Sequence, residues 1–93
     1  MRIEFDPAKD ATNLAAHGVS LAAAEELLGG MTVERIDDRF DYRETRIIAL
    51  GEIAGRVFVC VYARRGEVFR PISLRPANRK ERRVYVYDQA KQS

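Results

Sequence analysis

Apolar residues along this chain crowd into its middle and alternate with polar ones toward both ends. Over residues 56–64, Val57, Val59, Val61 and Ala63 fall on one side of an extended chain, and Phe58, Cys60, Tyr62 and Arg64 on the other. A strand apolar on both faces is buried on both, so this segment predicts the central strand of a sheet. Arg43–Ile53 and Val68–Arg75 flank it as further strands. The turns at Glu52 to Gly55 and Arg65-Gly66-Glu67 make the three a meander. Pro71 removes one ladder donor from the third strand, which favours an edge or a nearby bulge.

The first half of the chain switches to a helical period. Ile3 and Phe5 alternate with Arg2 and Glu4 as a short first strand. Asp6-Pro7 then opens a helix, with aspartate as cap and proline where its missing N–H costs nothing. His17-Gly18 closes it, glycine taking the left-handed position. Ala8, Ala11, Leu14 and Ala15 form its expected apolar side, while Lys9, Asn13 and His17, spaced i, i+4, i+8, share a polar stripe. Ser20 caps a second helix, Leu21–Leu28, which ends at Gly29-Gly30. A strand over Thr32–Ile36 and a polar connection, Asp37–Tyr42, lead into the meander. After Pro76-Ala77 a basic helix begins, capped by Asn78 with Glu81 three residues on. Val84 and Tyr85 are expected to pack it on the sheet, and Gln89–Ser93 to fray. The fold class is α+β: two N-terminal helices, a mostly antiparallel sheet and a closing C-terminal basic helix.

Composition narrows this further. Ninety-three residues make a single small domain over 1–93. The lone cysteine, Cys60, lies in an apolar run and reads as a core thiol. No apolar stretch is long enough to cross a bilayer and the start of the chain carries no signal-peptide pattern, so no membrane association and a cytoplasmic location are expected. The net charge of +2 hides an asymmetry: residues 1–44 carry −5, while residues 64–83 carry +6. Such a basic segment is a footprint for a polyanion or an acidic partner surface.

One histidine and one cysteine supply no paired metal-ligand spacing, and Gly29-Gly30 lacks the lysine of a phosphate loop. No serine has an evident base. No metal and no cofactor are expected. Metal-free cleavage of RNA remains open. It needs a base near the ribose 2′-OH, positive charge on the crowded phosphate and an acid at the leaving oxygen. Arg64, on the same side of its strand as Tyr62, Arg70 across the turn, and Arg75 at the strand end can offer planar forks to phosphate. His17 could exchange a proton near neutral pH, and Lys9 on the same stripe could hold phosphate. Each has a plainer reading: His17 as a helix-end cation, Lys9 as a solvated side chain, Arg75 as a hydrogen-bonder to helix ends, Glu81 as a cap and Tyr85 as packing.

Three groups of residues carry a resemblance. Phe5-Asp6-x-x-Lys9-x-x-x-Asn13-x-x-x-His17-Gly18-Val19 opens the chain, Val61-Tyr62-x-Arg64 lies in its centre, and Ile72-Ser73-x-Arg75-x-Ala77-x-x-x-Glu81-Arg82-x-x-Tyr85 closes it. In this order and spacing they resemble the BrnT family of bacterial toxins. The resemblance implies a RelE-like fold and a metal-independent endoribonuclease toxin of a type II toxin–antitoxin pair. Its partner would be a BrnA-type ribbon-helix-helix antitoxin, in a 2:2 heterotetramer that binds operator DNA through the antitoxin and represses its own operon. Its substrate would be RNA, leaving 2′,3′-cyclic phosphate ends, and the effect would be inhibited translation and growth under stress. On this reading Lys9, His17, Arg64 and Arg75 are the catalytic candidates, and Arg70, Arg79, Lys80 and Arg83 the RNA-binding ones. The alternative is a non-catalytic basic module that binds nucleic acid or an antitoxin.

Overall fold

The computed structural model describes residues 1–39 and 43–92. Phe40–Tyr42 of the expected polar connection and Ser93 of the expected frayed end lie outside the described residues. The described elements are β1 (Arg2–Ile3), α1 (Pro7–His17), a 3-10 turn (Leu21–Ala23), α2 (Ala24–Gly29), β2 (Val33–Ile36), β3 (Arg46–Ile53), β4 (Arg56–Arg65), β5 (Val68–Pro76) and α3 (Arg79–Gln92). The five strands form one sheet in the order β1-β5-β4-β3-β2. β1 runs parallel to β5, and every other pair is antiparallel.

β4 lies at the centre, buried on both faces. On one face Phe58, Cys60 and Tyr62 join Ala49 and Leu74 under Leu21, Ala24 and Leu27 of the helical layer. On the other, Val59 and Leu50 pack with Ala77 and Tyr85 at α3. Burying these two sets removes enough apolar surface to hold both layers, at roughly 25 cal/mol per Å². α2 comes close to β3 because residue 51 is glycine. A Cβ there would meet Leu27 Cγ at 2.7 Å and Leu27 Cδ2 at 2.9 Å. The β3–β4 turn is held from the same helix, the Ala54 N–H donating to Glu26 Oε2 at 2.7 Å.

Four expectations need correction. The apolar side of α1 does not face the sheet: Leu14 is 51% exposed, and Asn13 is the buried residue of this helix at 5%. The reason lies at β5. β1 covers only Val68 and Phe69, so β5 is an open edge beyond them. Asn13 completes that edge like a strand residue. Its Oδ1 accepts from the Leu74 N–H at 2.9 Å and its Nδ2 donates to the Leu74 carbonyl at 2.8 Å, and also to Val19 O at 2.9 Å. Satisfying two buried backbone groups outweighs burying one leucine. The second helix is not continuous from Leu21 to Leu28; it opens as a 3-10 turn under the Ser20 cap and becomes α-helical at Ala24. β3 starts at Arg46 rather than Arg43. The closing helix does not fray at Gln89 but continues to Gln92. Pro71 sits beside a register shift opposite Val61/Tyr62, with Ile72 as the extra residue, so its missing donor falls at a bulge.

Candidate functional site

Residues paired directly across strands point to the same face. On the α3 face the ladder therefore stacks three rows: Val33, Leu50, Val59 and Arg75; then Arg35, Ile48, Val61 and Ser73; then Arg46, Ala63 and Arg70. α3 packs over the first row through Tyr85, whose single hydroxyl proton has two acceptors in reach, Glu52 Oε2 at 3.1 Å and Met31 O at 3.3 Å. Beside the helix lies a groove of about 450 Å³. Val33, Ile48 and Leu50 form its floor, while Arg35 and the helix residues Asn78, Lys80, Glu81, Val84 and Asp88 form its walls.

Arg75 stands on the same sheet face, in the row of Val33, Leu50 and Val59. Its Nη1 donates to Glu81 Oε1 at 2.9 Å and its Nη2 to Glu81 Oε2 at 2.8 Å, a two-pronged pair made end-on. Nη1 also donates to Pro76 O at 3.3 Å. Guanidinium has five N–H donors. The edge formed by Nε and the second Nη2 hydrogen carries no hydrogen bond among the described residues, and it is the fork that suits a phosphate. The Glu81 carboxylate also accepts from the Asn78 N–H at 2.8 Å, and the Asn78 side chain accepts from the Glu81 N–H at 2.8 Å, a capping box. The Arg75 hydrogen bonds hold the Glu81 carboxyl below its usual range, with the Asn78 N–H and the charges of Arg75 and Arg35 adding to this against desolvation. Glu81 in turn holds the Arg75 guanidinium above its ordinary value.

Lys9 and His17 lie elsewhere but together. They line a pocket of about 410 Å³ outside β5 with Thr12, Asn13, Ile72 and Ser73. Eight residues of helix separate them, about 12 Å along its axis, so they suit neighbouring phosphates rather than one. Ile72 and Ser73 sit between Arg70 and Arg75 in the same strand, so β5 borders this pocket and also carries the two arginines.

Arg64 joins neither group. It stands at the other end of the sheet, its guanidinium 4.8 Å from the centre of the Phe69 ring and its Nε donating to Gly66 O at 2.9 Å. There it lines a cleft of about 570 Å³ with Arg43, Glu44, Arg46 and Arg65. Arg70 is half-buried on the α3 face, across β4 from Arg46. Of the three basic residues proposed on α3, Lys80 lines the groove; Arg79 and Arg83 are exposed and fall about half a turn of angle away, on the side of the helix opposite Glu81 and Tyr85. The sequence reading passed over Arg35 and Arg46. Their signal was parity: each alternates in step with the inward apolar positions of its strand, Arg35 with Val33 and Arg46 with Ile48 and Leu50.

Among the described residues, no group of three or more His, Cys, Asp or Glu side chains could hold a metal ion. No helix among them is long and apolar enough to cross a membrane. Sequence comparison places this mixed α+β chain in one family of small toxins of the type II toxin–antitoxin class. A family model described as the ribonuclease toxin BrnT of a type II toxin–antitoxin system matches residues 5–81, and the chain belongs to that family. No curated protein matches it.

Proposed function

We propose that this chain is a RelE-like, metal-independent endoribonuclease toxin, acting as one domain over 1–93. The observation that carries this reading is the presentation of Arg75. Glu81 grips one edge of the guanidinium and leaves the Nε edge without a hydrogen bond among the described residues, on the same sheet face as the apolar-floored groove. A fixed cation in such a place is worth most where charge develops on the phosphate during attack by the ribose 2′-OH. That attack breaks the bond to the 5′-oxygen and leaves a 2′,3′-cyclic phosphate. His17 is the chain's one imidazole and supplies proton transfer, and Lys9 holds an adjoining phosphate, at the pocket beside β5, the strand that carries Arg75. Lys80 holds the RNA backbone in the groove and Arg70 holds it further along the same sheet face, with Arg79 and Arg83 adding charge on the outer side of α3.

The biological setting follows from this role. A BrnA-type ribbon-helix-helix antitoxin would neutralise the toxin as a 2:2 heterotetramer and carry the complex to operator DNA. Released toxin would cut RNA in the cytoplasm, lower translation and slow growth under stress.

A non-catalytic binding module is the second reading. It is favoured by one observation: the four catalytic candidates occupy three places, with Arg64 at the far end of the sheet from Arg75. Incubating the antitoxin-free chain with total RNA in EDTA, beside Arg75→Ala and His17→Ala, separates the two. The nuclease reading expects cyclic phosphate ends from the parent alone. Salt-sensitive binding without any cleavage, on naked RNA and on ribosomes alike, would leave the binding module.

A further inference from the structure

The cleft at the far end of the sheet has the composition of an anion site. It forms where β3 begins and β4 finishes, and four of its five lining side chains are arginines: Arg43, Arg46, Arg64 and Arg65. The fifth, Glu44, meets Arg65 at 3.6 Å, with the Arg65 side chain exposed and that of Glu44 partly so. An exposed pair of that length contributes well under 1 kcal/mol. Arg43 has no ion-pair partner among the described residues. Arg64 is braced from behind by the Phe69 ring and the Gly66 carbonyl, which fixes the direction of its guanidinium.

We propose that this cleft is a second phosphate-binding subsite for the RNA backbone, separate from Arg75. The inference rests on the RNA-cleaving reading above and deepens it. Continuity argues for RNA: Arg46 lines the cleft and also lies in the row Arg46, Ala63, Arg70 on the α3 face. Successive rows are about 7 Å apart along the strands. The arginines thus form a track from Arg75 through Arg70 and Arg46 to Arg43 and Arg65, and a strand of RNA would be held at both ends. Arg64 then serves in holding the substrate at a distance from the cut phosphate.

The test uses the full chain and a 2′-O-methyl RNA 12-mer, which binds but has no free 2′-OH to attack. Binding is measured against salt for the parent, for an Arg43→Gln/Arg65→Gln double variant and for Glu44→Gln. Each phosphate contact on a single strand adds about 0.7 to the slope of log K against log salt. The double variant is expected to lower the slope by about 0.7 to 1.4 and weaken binding roughly tenfold at low salt. Glu44→Gln is expected to tighten binding, a gain that misfolding would not produce. Unchanged affinity and slope in both variants would overturn the subsite. So would loss of poly-glutamate binding with RNA binding intact, since the cleft would then serve an acidic protein segment. The two readings fail separately. A parent that binds the 12-mer with this pattern yet cuts no RNA keeps the subsite and loses the nuclease; a parent that cuts RNA while the variants bind normally does the reverse.

Discussion

Glu81 holds Arg75 by two parallel hydrogen bonds, 2.8 and 2.9 Å long, while the same carboxylate caps the first turn of α3. One side chain therefore fixes both the end of β5 and the start of the helix that walls the groove. Glutamine can still accept from the Asn78 N–H, so Glu81→Gln keeps the cap and loses the charge that clamps Arg75. We expect a stability change below about 1 kcal/mol, as for a partly exposed pair, but a fall in kcat of about tenfold or more from a misplaced guanidinium. Glu81→Ala also loses the cap and is expected to cost about 1 kcal/mol further. Steady-state cleavage beside urea titration checks this. Parental kcat in Glu81→Gln would leave the pair with a structural role only. The depressed carboxyl also gives the pair a pH dependence. Its stabilisation is fully present above the ordinary glutamate value of 4.5 and is lost as pH falls below that, through the folded-state value.

Asn13 is the second residue whose loss should be felt. Asn13→Ala strands the Leu74 N–H and C=O in a buried place, and each unsatisfied group costs about 1–3 kcal/mol. We expect a total loss of about 2–6 kcal/mol. Asn13→Asp should do little better, because a carboxylate accepts from the Leu74 N–H but faces the carbonyls of Leu74 and Val19 without a donor. Urea denaturation of the two variants measures this, and near-parental midpoints would show that water replaces the amide.

Gly51 tests the packing of α2. A methyl at this position meets Leu27 Cγ at 2.7 Å and Leu27 O at 3.3 Å. Gly51→Ala is expected to destabilise by about 1–3 kcal/mol, the usual cost of overpacking. Part of that clash is with a side chain and part with backbone, so Leu27→Ala should relieve it partially. A double-mutant cycle would show favourable coupling between the two changes; strict additivity would mean that α2 shifts as a body instead.

The meander, the central strand and the capping box at Asn78 and Glu81 were legible from period and turn chemistry, because each is fixed by neighbours in sequence. The inward turn of α1 was not. Its periodicity pointed the alanines and Leu14 at the sheet, but the open edge of β5 needed donors and acceptors, and that edge is made by strands more than fifty residues away. The same limit applied to the site. Lys9 and His17 share a pocket, as their spacing suggested, and Arg75 meets the Glu81 that follows it by six residues. Which arginines share a cleft depends on strand register, so Arg43, Arg46 and Arg65 joined Arg64 only once β3 was placed against β4.

Alkaline pH should expose the core chemistry. Burial, helped by the charge of Glu34, pushes the Cys60 thiol up to about 12 from its ordinary 9.0. Burial, with the hydrogen bond its hydroxyl donates to Glu34 at 2.9 Å, pushes Tyr62 up to about 12 from 10.0. Both groups lose protons more readily in the unfolded chain, so the unfolded state binds fewer protons than the native one above pH 9. Stability falls with rising pH wherever that holds. It should therefore be level in this respect up to about pH 9 and decline from there toward 12. Cys60→Ala, which removes the first of the two groups, should move the onset up toward 10, where Tyr62 takes over. The thiol itself should be inert in the native protein at pH 8, because its reactive form is the thiolate and the side chain has no solvent exposure. Labelling with a disulfide reagent should then run at the rate of opening and speed up with urea. Immediate stoichiometric labelling of the folded chain at pH 8 would show that the two layers over β4 part far more easily than their packing implies.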